Sequence, residues 1–340
     1  MELIKAEGAP MPRYRTYLLG IVAALMLVGC ATDFAALAIQ RNVLEPWADI
    51  TGGQAGTSPF GPAGQMSGAN HITLLRPAAL SARGNDIYVF DAGLGKILRY
   101  DRNQRTLTPF AAMLSAEAGI SIYAAPDTTV YFTDPAQGRV LHFTRDGTQL
   151  PPLISRGNLT RPVSVTVDER NGQILVADGM YGQIVVFNSF GMVLNIIQPQ
   201  QALTISAIAA GPDGIYVVDH LAKQLVVLGW DGSFRYTFGA DVLSEPGSIA
   251  LSRDNLVFVS DNFKHDIKVY RAQNTNGTRR RAAGEHVMLA GKIGGIGAAP
   301  GDFNGIAGLS VADGFLFVAD SLNARVQIML INPSALNVGK

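Results

Sequence analysis

Residues 173–187 read QILVADGMYGQIVVF: an apolar run ends in Asp178, and five residues later a polar side chain followed by isoleucine, Gln183-Ile184, starts the next run. The pattern recurs at Asp91, Asp134, Asp219, Asp261 and Asp320, followed at the same offset by Lys96-Ile97, Arg139-Val140, Gln224-Leu225, Asp266-Ile267 and Arg325-Val326. Successive aspartates stand 43, 44, 41, 42 and 59 residues apart. Self-similarity at a period of roughly 40 residues marks a unit of four short strands. Six units predict an all-β chain folded as a six-bladed β-propeller of four-stranded antiparallel blades.

The unit around Asp178 shows the plan. Arg161-Pro162 leads in, 163–167 alternates as a first strand, 168–172 turns, and 174–177, 184–187 and 193–197 supply three more strands. Arg76-Pro77 and Glu245-Pro246 open two further units in the same way. Nine residues after each aspartate comes a large apolar side chain, Tyr100, Phe143, Phe187, Leu228, Tyr270 or Met329, expected to fill the seam between neighbouring blades. A short carboxylate at a strand end can accept hydrogen bonds from the amides of the turn that follows, and an arginine five residues on can pair with it. Six equivalent aspartates therefore read as turn architecture rather than as catalytic groups.

The last unit has only three strands before residue 331. A ring with an open edge would expose unpaired backbone, so a strand from the N-terminal side should complete it. Residues 43–50, with Trp47, are the best candidate and 72–75 the alternative, while the Gly/Pro-rich stretch 51–68 reads as a connector back to the first unit.

Lys plus Arg equals Asp plus Glu, 27 each, so net charge gives no support to a nucleic-acid surface. At the N-terminus Lys5, Arg13 and Arg15 precede an uncharged apolar run, 18–28, that closes as Leu27-Val28-Gly29-Cys30. The run falls short of the ~20 apolar residues that span a bilayer, which favours a signal-peptide core. The tripeptide before the only cysteine resembles a bacterial lipobox. That resemblance implies a diacylglyceryl group on Cys30 and cleavage before it, hence a signal peptide at 1–29, a lipidated tether at 30–42 and the propeller at 43–340. Ala31-Thr32, with Asp33 one place later than the inner-membrane retention signal, favours the outer membrane of the cell envelope. The alternative is an uncleaved anchor helix with a chance cysteine.

The last unit also carries the sharpest repeat signature: Pro300-Gly301-Asp302-Phe303-Asn304, then Gly308-Leu309-Ser310-Val311, then Leu316-Phe317-Val318-Ala319-Asp320, then Asn323-Ala324-Arg325-Val326-Gln327. It resembles an NHL repeat. The resemblance extends over about residues 76–331, although the other five units keep the aspartate and its paired positions while varying the asparagine and arginine. It implies a rigid ring whose rim loops meet a partner.

Candidate chemistry is sparse. The histidines are His71, His142, His220, His265 and His286, and no two have metal-ligand spacing. His220 and Lys223, with Lys264 and His265, occupy the loops after the aspartates of two adjacent units and would put four potential cations on one sector of one rim. The plainer reading is solvated loop residues. The 59-residue spacing marks an insertion around 272–286, whose Arg279-Arg280-Arg281 is a candidate contact for lipid headgroups, cell-wall polymer or a protein partner, or simply a polar loop. The innermost strands are small, apolar and serine-rich, so no catalytic residue, metal or other cofactor is expected. The sequence thus points to a membrane-anchored envelope lipoprotein whose propeller is a protein- or polymer-binding scaffold within an envelope complex. A lactonase-like hydrolase or lyase with a divalent metal in the central channel is the alternative.

Overall fold

The computed structural model describes residues 43–55, 71–111, 120–272 and 287–333. Within them each repeat is one antiparallel blade of a six-bladed β-propeller. In blade three, Pro162–Asp168, Gln173–Asp178, Gln183–Phe187 and Val193–Ile197 pair in sequence order from the inside outward. The innermost strands Pro77–Arg83, Ile122–Ala124, Pro162–Asp168, Ile205–Gly211, Pro246–Leu251 and Ile306–Ala312 each pack on the next, and the sixth packs on the first.

The central strands read as continuous apolar runs because a blade is covered on both faces. The apolar interior is accordingly divided into six clusters, one per seam. Leu175 and Ala177 of blade three meet Ile215 and Val217 of blade four, for example. Phe143, Phe187, Leu228, Tyr270 and Met329 are buried, each in the seam with the preceding blade. Tyr100 occupies the equivalent place half-buried. Burying one such side chain contributes about 1.5–3 kcal/mol, so each seam is a substantial part of the ring's stability.

Serines in or next to the innermost strands link the blades. Ser81 Oγ accepts the amide of Ala124, Ser121 Oγ that of Val165, Ser164 Oγ that of Ile208, Ser248 Oγ that of Leu309 and Ser310 Oγ that of Ala82, while Ser206 Oγ donates to the Gly247 carbonyl. Each of the six junctions therefore carries one serine hydroxyl bond, and that of blades three and four adds Thr166 Oγ1, which accepts the Ala210 amide. A small hydroxyl suits this position because two inner strands converge there and a larger side chain would force them apart.

β1 (Leu44–Ile50) closes the ring. It pairs antiparallel with Arg325–Ile331 as the fourth strand of blade six, with Leu44 and Ile50 buried and Asp49 Oδ2 accepting Arg325 Nη1 at 2.9 Å. The alternative stretch is used elsewhere. β2 (Gly52–Ala55) and β3 (His71–Thr73) form a hairpin, and β2 runs parallel to Thr106–Ala111 on the outer edge of blade one. The expected connector thus begins as a strand that covers an edge. Its two glycines permit the approach: a Cβ on Gly52 would stand 2.3 Å from the Ile72 carbonyl oxygen, and one on Gly53 3.0 Å from that of Arg105.

One innermost strand is short. In blade two it is only three residues, Ile122–Ala124, and the Ser121 amide just before it donates to Thr133 Oγ1 at 2.7 Å. Cys30, the Arg279-Arg280-Arg281 cluster and His286 lie outside the described residues.

Candidate functional site

Each repeat aspartate ends the second strand of its blade, next to two loops: the incoming loop that feeds the first strand and the turn that leads to the third. Asp178 joins them. Its Oδ2 accepts the amides of Thr160 and Arg161 and its Oδ1 those of Met180 and Tyr181. Asp91 does the same with Leu75 and Arg76 on one side and Gly93 and Leu94 on the other, at 2.7–3.1 Å. Asp261 takes Ser244, Glu245 and Lys264, and Asp219 takes Thr204 and Ala222. Asp134, followed by Pro135, is held instead by Arg139 Nε at 3.0 Å. A buried apolar side chain anchors the same incoming loops: Leu74, Leu159, Leu203, Leu243 and Phe303. The carboxylates thus satisfy donors that a chain reversal leaves over, and all six stand on one rim of the ring.

In blade six this arrangement gathers the polar residues of 301–327. Asp320 accepts the amide of Asn304, Asn323 Nδ2, Arg325 Nε and Gln327 Nε2. Arg325 Nη2 and Gln327 Nε2 both reach the Asp302 carbonyl, and Gln327 Oε1 accepts the Gly301 amide. Gly301, Asp302, Asn304, Asp320, Asn323, Arg325 and Gln327 form one internal network.

His220, Lys223, Lys264 and His265 lie in the turns after Asp219 and Asp261, on the aspartate rim of blades four and five. The turn geometry sets their surroundings. The fourth residue after the aspartate is left-handed in every blade: Gly95, Gly138 and Gly182 in the first three, then Lys223 at φ 55°, His265 at 52° and Ala324 at 53°. Two of the four side chains are engaged by backbone: His220 Nδ1 lies 3.0 Å from the Pro246 carbonyl, and Lys264 Nζ donates to that of Val242 at 2.7 Å. Lys223 is exposed and His265 half-buried.

A feature not anticipated from the sequence stands beside them. The second residue after the aspartate is large, apolar and exposed in four successive blades: Met180 (60% exposed), Leu221 (77%), Phe263 (72%) and Leu322 (65%). Tyr181, Ile296 and Leu75 add exposed apolar surface on loops of the same rim. The signal was available as a repeat column, Gly93, Ala136, Met180, Leu221, Phe263, Leu322, once the units are aligned on their aspartates.

The opposite rim is internally paired by charges, although Phe190 (86% exposed) and Met192 project from one of its turns. Arg102 meets Asp313 at 3.1 Å and caps the rings of Phe315 and Phe317; Arg145 reaches across to Asp86 at 2.8 Å. Near the mouth of the ring Arg83 pairs with Glu169, to which Tyr123 also donates; burial first, then the Glu169 charge, pushes the Tyr123 hydroxyl up to about 12. Two hollows open here, one of about 390 Å³ lined by Asn85, Arg102 and Asp313, the other of about 120 Å³ lined by Asp127, Tyr131 and Glu169. His142, cross-strand from Tyr131 and stacked on it at 4.4 Å, is buried, and desolvation lowers its pKa. Among the described residues no group of three or more His, Cys, Asp or Glu side chains is placed to share a cation.

No protein-family profile and no curated protein matches the chain. Solved structures match in fold. A structural-genomics protein of unknown function from Bacteroides thetaiotaomicron superposes with a TM-score of 0.62 at 13% identity, covering 84% of this chain and 75% of that one. Virginiamycin B lyase from Staphylococcus aureus gives 0.54 at 14% identity over 76% and 95%, and its catalytically inactive variant with quinupristin gives 0.56 at 13% over 85% and 99%. At such identities the likeness concerns the propeller fold alone.

Proposed function

We propose that the chain is a lipid-anchored envelope protein whose NHL-like propeller is a rigid binding scaffold for a protein or polymer partner. The observation that carries the scaffold reading is the set of six serine hydroxyls between the innermost strands. They commit the polar side chains nearest the channel to holding blades together, and recognition falls to the rims. Anchorage rests on Leu27-Val28-Gly29-Cys30 at the end of the apolar run, whose lipoprotein resemblance implies acylation of Cys30 and residence at the outer membrane.

Two measurements test this. Cys30→Ser should block processing or release the chain from membranes washed with alkaline carbonate; unchanged processing and attachment refute the lipobox. Crosslinking in cells should recover one defined envelope partner, and repeated recovery of none counts against the scaffold.

A propeller hydrolase or lyase is the rival, and the fold likeness to virginiamycin B lyase is what favours it. Stoichiometric calcium or zinc surviving dialysis of the purified protein would replace the scaffold reading by this one.

A further inference from the structure

We infer that the aspartate rim is a bilayer-docking face, which seats on anionic phospholipid headgroups with Met180, Leu221, Phe263 and Leu322 in the interfacial layer. The inference goes beyond the acyl anchor and does not require it.

Four adjacent blades each project one large apolar side chain from the same position of the same turn. The backbone beneath is held: Asp178 binds the amide of Met180 itself, and Asp219 and Asp261 bind amides one residue past Leu221 and Phe263. Such tips cannot fold back into a seam without breaking those bonds, so their apolar area remains in water unless something covers it.

The charges on the same loops identify the cover. Lys223, Arg76 and Arg161 are exposed there without a carboxylate partner among the described residues, and Lys264 is bound only to a carbonyl. Asp241 and Glu245 are the exposed acids nearby. Lysine is depleted at protein–protein interfaces and leucine is rare among their hot spots. At a membrane surface the preferences reverse, since leucine and phenylalanine enter the acyl boundary while lysine stems lie along it with the ammonium at the phosphates. The hollows that would suit a protein's protruding side chain lie on the opposite rim.

Chain geometry permits the pose. The described chain begins on the opposite rim, where the Asn332 amide donates to the Val43 carbonyl beside the turn at Gly314. The thirteen steps from Cys30 to Val43 extend at most about 45 Å. A blade strand of seven residues such as Pro162–Asp168 rises only about 23 Å. A lipid on Cys30 can therefore reach the bilayer on which the aspartate rim rests, leaving the paired, hollowed rim turned outward to a partner.

The test uses residues 31–340, which contain every described strand including β1. Sedimentation with phosphatidylglycerol/phosphatidylethanolamine vesicles should carry the protein down, phosphatidylcholine vesicles should do so weakly, and about 0.5 M salt should release most of it. Leu221→Asp with Phe263→Asp should lower the bound fraction at least tenfold at an unchanged urea midpoint. Lys223→Glu with Lys264→Glu should lower it severalfold on anionic vesicles only, and Phe190→Asp on the opposite rim should leave it unchanged. Failure of the wild-type protein to sediment, or of the apolar pair to matter, overturns the inference. Loss of a crosslinked protein partner in the apolar pair, with no vesicle binding by wild type, would reassign the rim to protein docking. None of these readouts depends on Cys30, so the inference and the lipobox fail separately.

Discussion

The two rims use the same residue types for different ends. On the opposite rim charges tie neighbouring blades together: Arg145 of blade two to Asp86 of blade one, Arg102 of blade one to Asp313 of blade six, and Arg170 of blade three over the Trp230 ring of blade four at 3.7 Å. On the aspartate rim the carboxylates are buried and serve their own blade, and the side chains projecting above them are apolar or cationic and exposed. The partners separate the two behaviours, since Asp86 is buried like the rim aspartates yet is held by Arg99 and Arg145 rather than by amides. A carboxylate surrounded by amides in low dielectric is part of the fold, whereas one at a solvated turn is an adjustable surface charge. Stability is thus concentrated beneath the rim whose outer surface is free to change.

The hardest break comes at blade five, where the aspartate has a buried counter-cation. Lys268 is buried, bonded to Asp266, with Nζ 3.9 Å from Asp261. Lys268→Met should cost about 3–5 kcal/mol in urea unfolding, because it leaves two buried carboxylates without their cation. A loss below about 1 kcal/mol would mean that Asp261 and Asp266 are solvated and that their charge is not part of the fold.

A matched pair of substitutions sharpens the contrast. Asp178 is fully buried and holds four amides, while the Asp313 side chain is 54% exposed and holds Arg102. Asp178→Asn puts an NH₂ against donors and should cost about 2–4 kcal/mol. Asp313→Asn keeps the left-handed turn that asparagine tolerates and should cost less than about 1 kcal/mol. Equal costs would erase the distinction.

The rims should also differ in their response to acid. His142, near the opposite rim, has its pKa lowered by burial, with Asp127 opposing weakly. Its native state is held neutral, so the stability it contributes is present above the ordinary histidine pKa of about 6.5 and lost as pH falls below it. Equilibrium unfolding should weaken from pH 7 to 5, by no more than about 1.4 kcal/mol per pH unit from this group. His142→Leu should flatten that slope; an unchanged slope would place the acid sensitivity elsewhere.

What could be read from the sequence followed from locality. The six aspartates and their following pairs sit within one turn of each other, so Gln183-Ile184 after Asp178 was visible at once, and the missing fourth strand of the last unit called for β1. The serine links were not visible, because Ser81 and Ala124 lie 43 residues apart and meet only when the ring closes. The serine-rich composition of the inner strands shows the ligands they lack and not the links they make. The apolar tips were missed because Leu221 or Phe263 in a strand-rich sequence is assumed to be interior, and only the carboxylate hold on the turn keeps it outside. The β2–β3 hairpin was missed because Gly52-Gly53 reads as a linker, although here glycine permits close backbone approach.

The smallest predicted effect concerns the left-handed residue of each aspartate-rim turn. Three blades place glycine there, while blade four places Lys223 at φ 55° with its side chain in solvent. An L-residue in this conformation costs about 1–2 kcal/mol, and glycine gives back about 0.5–1 kcal/mol through its greater freedom in the unfolded chain. Lys223→Gly should therefore stabilise the protein by about 0.5 kcal/mol in urea unfolding. The reverse change in blade three, Gly182→Ala, should destabilise it clearly, since the added Cβ would stand 2.4 Å from the Leu203 carbonyl oxygen. If Lys223→Gly stabilises the fold and weakens vesicle binding together, the strained lysine is held at the rim for its charge. If it destabilises the fold, the Lys223 side chain belongs to the architecture, and the division between a structural underside and a functional surface fails at that blade.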